Sequence, residues 1–336
     1  MLTAACSSPS SAGIQVRQTP SASVSPSPSA SPTPSASAGP IAPLTGLPVS
    51  RSVADRPAVA VPLTGSSPQG LSDADVVYEE VTSPLRYIAV FQSRQARVVG
   101  PVGSTRPADG QILSVLRPLV AYDGGTASFI NVLDHTRVVD LGYATHSSLY
   151  QDGSAGLTTS TRAVMHAAHA SAPPELFSYR SGATGDALAT SGQFRASAVT
   201  IEFPGGYGRQ RWVFDSRRDL WREVSGGPPV SVANLIIQKV PYKTVYLSRK
   251  YHLTVPSARV LGRGGKNSVE AFSGIADTGA TGPQGLAARG EWAKPGLRYV
   301  TDFLDANGFP MDFQPGPTWI VLAPPGTRVR ASDAAS

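Results

Sequence analysis

The stretch DVVYEEVTSPLRYIAVFQ, Asp75 to Gln92, sets two runs of strand-forming residues on either side of Thr82-Ser83-Pro84-Leu85. Val, Tyr, Ile and Phe favour extended backbone and a Ser-Pro pair favours a turn, so the stretch reads as an antiparallel hairpin. Successive side chains on a strand point to opposite faces, so Glu79 and Glu80 cannot act as one carboxylate pair. With a four-residue turn, Val81 lies opposite Arg86 and Glu79 reaches Arg86 along the diagonal, which makes an ordinary cross-strand ion pair. The competing reading turns one of the two glutamates into a cleft as an acid/base group.

Outward from this hairpin, RPAVAV (Arg56 to Val61) reads as a buried strand. ADGQILSVLR, ASFINVLDH and TSTRAVMHAAHA carry helical spacing, and PLVAYD and RVVDL are strands between them. That alternation describes a mixed sheet with helices packed on it, an N-terminal α/β domain over residues 43–190. After the small and polar SGATGDALATSG the pattern becomes nearly all β, with ASAVTIEFP, RQRWVFDS, DLWREV and VANLIIQKV as successive strands. Asn307-Gly308 predicts a hairpin, because both residues accept positive φ, and Thr318 to Ala323 adds a further strand. A mainly antiparallel β domain is therefore expected over residues 195–330, and the fold class is α+β.

With 41% hydrophobic residues, the 336-residue chain can bury sizeable cores. Its net charge of +6 is scattered, and no run of Lys and Arg with interleaved aromatics occurs, so nucleic acid is not expected as a partner. A mildly basic body is compatible with anionic lipid or an anionic envelope polymer. Cys6 is the single cysteine, so no internal disulfide forms. Leu2-Thr3-Ala4-Ala5-Cys6 resembles the end of a bacterial lipoprotein signal, with Thr3 departing from the usual residue; lipidation at Cys6 is expected, and the basic and apolar parts of the signal are expected upstream of residues 1–6. The alternative is a free thiol in a frayed terminus. Residues 7–42 are almost wholly Ser, Pro, Ala and Thr, which reads as a disordered tether. Fully stretched at about 3.1 Å per residue, such a tether reaches on the order of 100 Å. No stretch of 18 or more apolar residues occurs that would span a bilayer.

The loop GPVGSTRPAD (Gly100 to Asp109) is the best candidate for ligand binding. Glycines and prolines fix an irregular backbone, Ser104, Thr105 and Arg106 offer donors to a carboxylate or phosphate, and Asp109 caps the helix that follows. The plain alternative is a strand-to-helix connection in which Arg106 donates to backbone carbonyls. With Tyr78 and Arg86 from the hairpin, Ser104, Thr105, Arg106 and Asp109 make up the expected binding set. His146 in ATHSSLYQDG and Asp123 in AYDGG are the one His/Asp set with acid/base potential, against a structural histidine hydrogen-bonded in its loop. His166 and His169 share a helical face but lack a third ligand, so no metal site is expected, and no cofactor. GRGGKNS (Gly262 to Ser268) lacks the spacing of a phosphate-binding P-loop and reads as a β-turn.

PLTGLP, RPAVAV, PQGLSDADVVYEE, GPVGSTRPAD, THSSLYQDG, GEWAKPG and PGPTWIVLAP together resemble the YerB-type lipoprotein family, domain of unknown function 3048, from about Pro43 to about Pro324. The resemblance implies an N-terminal and a C-terminal domain and a location, and no chemistry. Gly103 stands where the family usually has arginine, and Pro62-Leu63-Thr64 where it has asparagine, whereas Arg106 matches a second family arginine. The expected protein is a lipid-anchored, extracytoplasmic, non-catalytic binder of a cell-envelope polymer or protein, held to membrane lipid by acyl chains on Cys6, with the Arg106 loop, Glu79 and His146 as its recognition surface. The alternative is an envelope hydrolase using His146 with Asp123 or Glu79.

Overall fold

The computed structural model describes residues 39–180, 188, 193–246, 252–256, 261–274 and 285–332. Cys6, most of the Ser/Pro tether and nearly all of SGATGDALATSG lie outside the described residues. Gly39–Ser336 forms one compact unit.

The hairpin read from Asp75 to Gln92 is present as β2 (Val76–Glu80) and β3 (Arg86–Phe91), beside β1 (Val59–Thr64), with every residue of β2 and β3 buried. Its register differs from the expectation by one residue: Glu80 pairs with Arg86, and Glu79 with Tyr87. The cause is Val81. Its side chain is fully buried, and its N–H donates to the Tyr242 hydroxyl (3.0 Å) instead of the ladder, so the loop has five residues. At the open end Asp75 accepts hydrogen bonds from Gln92 N (2.6 Å), Ser93 N (2.7 Å) and Ser93 Oγ (2.6 Å), which ties the two strand ends together.

β4 (Leu119–Val120) and β5 (Val139–Asp140) extend the sheet beyond β1 as parallel pairs. The three expected helices form as α1 (Asp109–Leu113, continued by a tighter turn over Ser114–Leu116), α2 (Ala127–Asp134) and α3 (Thr161–Ala167). The later strands used below are β6 (Ala198–Glu202), β7 (Arg209–Asp215), β8 (Leu220–Glu223), β9 (Asn234–Lys239), β10 (Val269–Gly274), β11 (Gly285–Lys294), β12 (Thr318–Ala323) and β13 (Arg328–Ser332).

β12 decides the architecture. The run TWIVLA has no polar alternation, the pattern of a strand buried on both faces, and such a strand needs hydrogen-bonding neighbours on both edges. It finds them in β9 and β2, parallel to each, with Thr318 opposite both Asn234 and Val76. Strands from both sides of residues 190–195 thus belong to one sheet, which among the described residues runs Gly262–Arg263, β11, β10, β9, β12, β2, β3, β1, β4, β5. A boundary at 190–195 is not a break in packing. Among the described residues the strands after residue 195 pair mainly antiparallel with one another, as expected, and β9 with β12 is the parallel exception.

The antiparallel part expected after residue 195 is a second sheet of β6, β7, β8, β13 and Ser231–Val232. It covers one face of the large sheet, where Trp212 packs on Trp319 (5.6 Å between ring centroids) and Trp221 on Phe272 (5.5 Å). The other face is covered by Ile112, Leu113, Leu116 and Leu133 from the helical segments and by Phe177, Phe303 and Phe313. Asn307-Gly308 makes a short hairpin turn: Leu304 and Pro310 bridge antiparallel across it, Asp305 N donates to Phe309 O (2.8 Å) and Met311 N to Phe303 O (2.8 Å), and Asp305 Oδ1 accepts from Asn307 N (2.9 Å) and Phe309 N (2.8 Å). Of the two turn residues Gly308 alone has positive φ, and beyond the bridge Asp312–Phe313 pairs in parallel with Ser178–Tyr179.

Where β12 enters the sheet, Asn234 is fully buried. Its Nδ2 donates to Gln314 O (2.9 Å) and Thr318 Oγ1 (3.1 Å), and its Oδ1 accepts from Ser273 Oγ (2.6 Å) and Gln314 N (3.2 Å). Asn234→Ala is expected to lower the unfolding free energy by about 3 kcal/mol, since the partners stay buried without replacements. Urea unfolding followed by tryptophan fluorescence measures this, and a loss under about 1 kcal/mol contradicts it.

Candidate functional site

β1 and β2 both run antiparallel to β3, and so parallel to each other; β4 and β5 continue from β1, and β12 and β9 from β2, all in the same direction. Six strands therefore end on one edge of the sheet, the position where open sheets of this kind gather ligand-binding loops. The loop of Gly100–Asp109 is fastened there by backbone hydrogen bonds from Thr64 N to Pro101 O (3.2 Å), Gly103 N to Pro62 O (2.7 Å), Asp123 N to Gly103 O (3.1 Å) and Thr105 N to Gly124 O (2.8 Å).

Below the loop lies a buried charge cluster. Arg86 Nη1 donates to Glu80 Oε2 (2.8 Å) and Asp109 Oδ1 (2.9 Å), while Nη2 donates to Asp109 Oδ2 (2.6 Å) and Ser104 O (3.0 Å). Asp109 Oδ2 also accepts from Arg106 N (2.9 Å) and Thr105 Oγ1 (3.2 Å). Glu80 and Asp109 are fully buried and Arg86 is 2% exposed. Burial pushes the Arg86 guanidinium down, but Asp109 and Glu80 outweigh it and hold the group firmly protonated. Burial also raises the Glu80 carboxyl, and Arg86 only partly offsets that rise.

Several expectations change here. Asp109 does not cap α1; the capping position is Ala108, and the Asp109 carboxylate turns back to Arg86 and the preceding loop. Arg86, not Arg106, donates to a loop carbonyl. The Arg106 guanidinium, partly buried, forms no hydrogen bond or ion pair with any described residue. Burial and the charge of Arg86 press its pKa down, while Asp109, Glu80 and Asp123 lie near enough to oppose that. Ser104 is partly exposed beside it, Thr105 is buried, and Asp123 is exposed. Tyr78 is packed in the apolar layer with Val76, Ile88 and Ile320.

Glu79 points to the opposite face, between the two sheets, and makes no pair with Arg86. Trp319 Nε1 donates to its Oε2 (2.7 Å) and Gln210 Nε2 to its Oε1. Burial lifts its pKa to about 7, against those two hydrogen bonds and with a further push from Glu223. His146 Nδ1 bonds Thr145 Oγ1 (2.9 Å) and its N–H donates to Gly142 O (3.0 Å). Among the described residues no hydrogen bond or ion pair joins His146 to Asp123 or Glu79. His169 lies beyond α3, which ends at Ala167, so His166 and His169 share no helical face. Sequence reasoning missed Glu80, whose role depends on the one-residue register difference, and Tyr242, whose hydroxyl donates to Leu322 O (2.5 Å) at the same edge.

Residues 44–177 match the family model "Protein of unknown function (DUF3048) N-terminal domain". A Bacillus subtilis (strain 168) protein named "Putative lipoprotein YerB" is 44% identical over 71 residues, 19% of this chain and 22% of that protein; the match thus spans about a fifth of the relative's length. The crystal structure of YerB protein from Bacillus subtilis superposes with a TM-score of 0.65 over 86% of this chain and 99% of that one, at 19% identity, a likeness of fold.

Two outcomes follow from the buried charges. Arg86→Met leaves Glu80 and Asp109 buried side by side without a counter-ion, and is expected to cost about 3–5 kcal/mol in urea unfolding; a cost below about 1 kcal/mol contradicts the cluster's role. Glu79 binds its proton more tightly folded (about 7) than at its ordinary value of 4.5, so its contribution is full below pH 4.5 and is lost as pH rises through 7. At about 1.4 kcal/mol per pKa unit, that loss amounts to about 3 kcal/mol. Glu79→Gln stays neutral, and Gln210, whose Oε1 has no partner, can turn its amide to receive the new N–H. Wild type should therefore lose stability relative to Glu79→Gln across this window, and a constant difference between the two would refute the assignment.

Proposed function

We propose that this chain, whose residues 44–177 carry the match to the DUF3048 N-terminal domain, is a lipid-anchored protein outside the bacterial cytoplasmic membrane that binds an anionic group of a cell-envelope component at the Arg106 edge. The observation that carries the reading is the Arg106 guanidinium, partly buried and without a partner among the described residues, on a backbone that its N–H fastens to Asp109. A cation positioned in this way by a buried network is prepared for a carboxylate or phosphate that arrives from outside. Ser104 and the exposed Asp123 flank it and would select how that group is presented.

The anchor rests on separate support. Small residues precede Cys6, a Ser/Pro-rich stretch follows it, and the chain is similar to a protein named as a lipoprotein. Acyl chains on Cys6 would supply about 0.8 kcal/mol per buried CH₂, so several chains hold a protein at a membrane without a spanning helix. Among the described residues no helix is long and apolar enough to cross a membrane.

Arg106→Ala should leave the unfolding free energy unchanged within about 0.5 kcal/mol, as for a surface substitution with no partner. It should weaken binding of solubilised anionic envelope polymer, measured by calorimetry, by about tenfold or more, the loss of one charge-assisted contact. Unaltered binding, or a stability loss above about 1 kcal/mol, assigns Arg106 a structural role instead. Intact-mass measurement of the membrane-extracted protein tests the anchor: a mass without acyl chains on Cys6 removes it.

A further inference from the structure

A second cleft opens on the same sheet edge, at the ends of β9 and β12, with a volume of about 710 Å³. That size suits a small organic ligand. One side is Val240-Pro241 and Pro325-Gly326, which continue from the strand ends, and the other is the glycine-rich segment of Leu261–Ser268, in which the short strand Gly262–Arg263 leads through a turn into β10, both strands pairing with β11. Trp292 of β11 forms the floor, its Nε1 held by Lys239 O (2.9 Å). β9 stands two strands from β2, about 10 Å, so this cleft is separate from the Arg106 loop.

The glycine-rich segment is built, not slack. Gly264 N donates to Trp292 O (2.8 Å), Ser268 N to Gly265 O (3.0 Å) and Lys239 N to Ser268 O (2.8 Å), and Asn267 adopts a φ of 56°. A Cβ at Gly264 would stand 2.1 Å from Ser268 Oγ and 2.5 Å from Trp292 Nε1, so only glycine lets the backbone pass this close to the serine and the indole. Ser268 is 7% exposed, lines the cleft, and its hydroxyl has no partner. A buried unpartnered hydroxyl is costly unless something outside the chain satisfies it. The amides of Gly265, Lys266 and Asn267 donate to no acceptor among the described residues.

The charges at the mouth select the ligand. Lys239 (3.6 Å) shares Glu270 with Arg289 (3.2 Å), and Arg263 binds Glu291 (2.9 Å), so the ion pairs around the mouth already leave an excess of positive charge. Lys266 is exposed and pairs with no described carboxylate, which adds to that positive excess. A lysine point charge, a hydroxyl and a run of free amides outnumber the two oxygens of a carboxylate and match the three outer oxygens of a phosphate ester. Val240, Pro241, Leu261 and Pro325 leave an apolar wall for the ligand's organic part. We infer that this cleft binds a phosphate ester, with Lys266, Ser268 and the 265–267 amides on the phosphate.

The test uses the full ¹⁵N-labelled chain and follows the amide signals of Gly265, Lys266 and Asn267. One arm adds sn-glycerol 3-phosphate, the other phosphatidic acid vesicles in a phosphatidylcholine background, both of them phosphate monoesters. Saturable shifts with the first assign a soluble ester, and with the second a lipid headgroup; saturation with neither overturns the proposal. Lys266→Ala and Ser268→Ala should each weaken binding by about tenfold, the loss of a hydrogen bond to a charged oxygen. Ser268→Ala removes a hydroxyl that has no internal partner, so it should keep the wild-type fold and isolate the binding effect. Undiminished binding in both variants overturns the site. Arg106→Ala should leave these shifts in place, so failure here and failure of the Arg106 reading are told apart.

Discussion

An apolar strand with no polar face must be hydrogen-bonded on both edges and covered on both sides, and Thr318–Ala323 imposes that requirement on the whole molecule. β9 and β2 satisfy its edges, the Trp212 and Trp221 layer covers one side, and Ile236 and Ile88 lie in the apolar layer on the other. Because its neighbours come from distant parts of the chain, one sheet results where two domains were expected. The buried Asn234 network fixes where this strand begins, since its four hydrogen bonds are met only in that register.

The same strand aligns the sheet edge on which both candidate sites sit. Six parallel strands end there, and the polar groups at their ends divide into two kinds. Arg86, Glu80 and Asp109 satisfy one another and are sealed from water, so they act as a rigid base. Arg106 at one place, and Ser268 with Lys266 at another, are left with unused hydrogen-bonding capacity. Glu79, on the opposite face, stands apart from both as an inter-sheet contact whose proton is retained to near neutral pH.

Local elements were legible where one short-range signal governed them. Alternation and turn residues found the hairpin, the three helices and β6, β7 and β8 of the smaller sheet, but not its strands Ser231–Val232 and β13. Thr318–Ala323 was read as a strand with the right bounds, but its place between β9 and β2 is a pairing across more than 200 residues, which periodicity does not encode. The hairpin register failed because Val81 was assigned to the ladder, whereas its burial and its bond to Tyr242 remove it. That single residue moved the Arg86 partner from Glu79 to Glu80, and with it the location of the charge cluster. The Gly100–Asp109 loop was legible as a candidate from its donors and its irregular backbone. The roles within it were not, because Arg86 and Arg106 differ only in which one meets the carboxylates in space. GRGGKNS was read as a turn, and a turn it is, but its relation to Trp292 and Pro325 depends on strand order alone.

Placing residues 318–323 between β2, more than 200 residues earlier, and β9 also governs how the protein comes into being. Until residue 323 has left the ribosome, β2 and β9 each present an open hydrophobic margin, and the main core has no closing piece. Contacts of such long sequence separation form late and slowly. The emerging polypeptide would therefore remain pliable until that strand has been made.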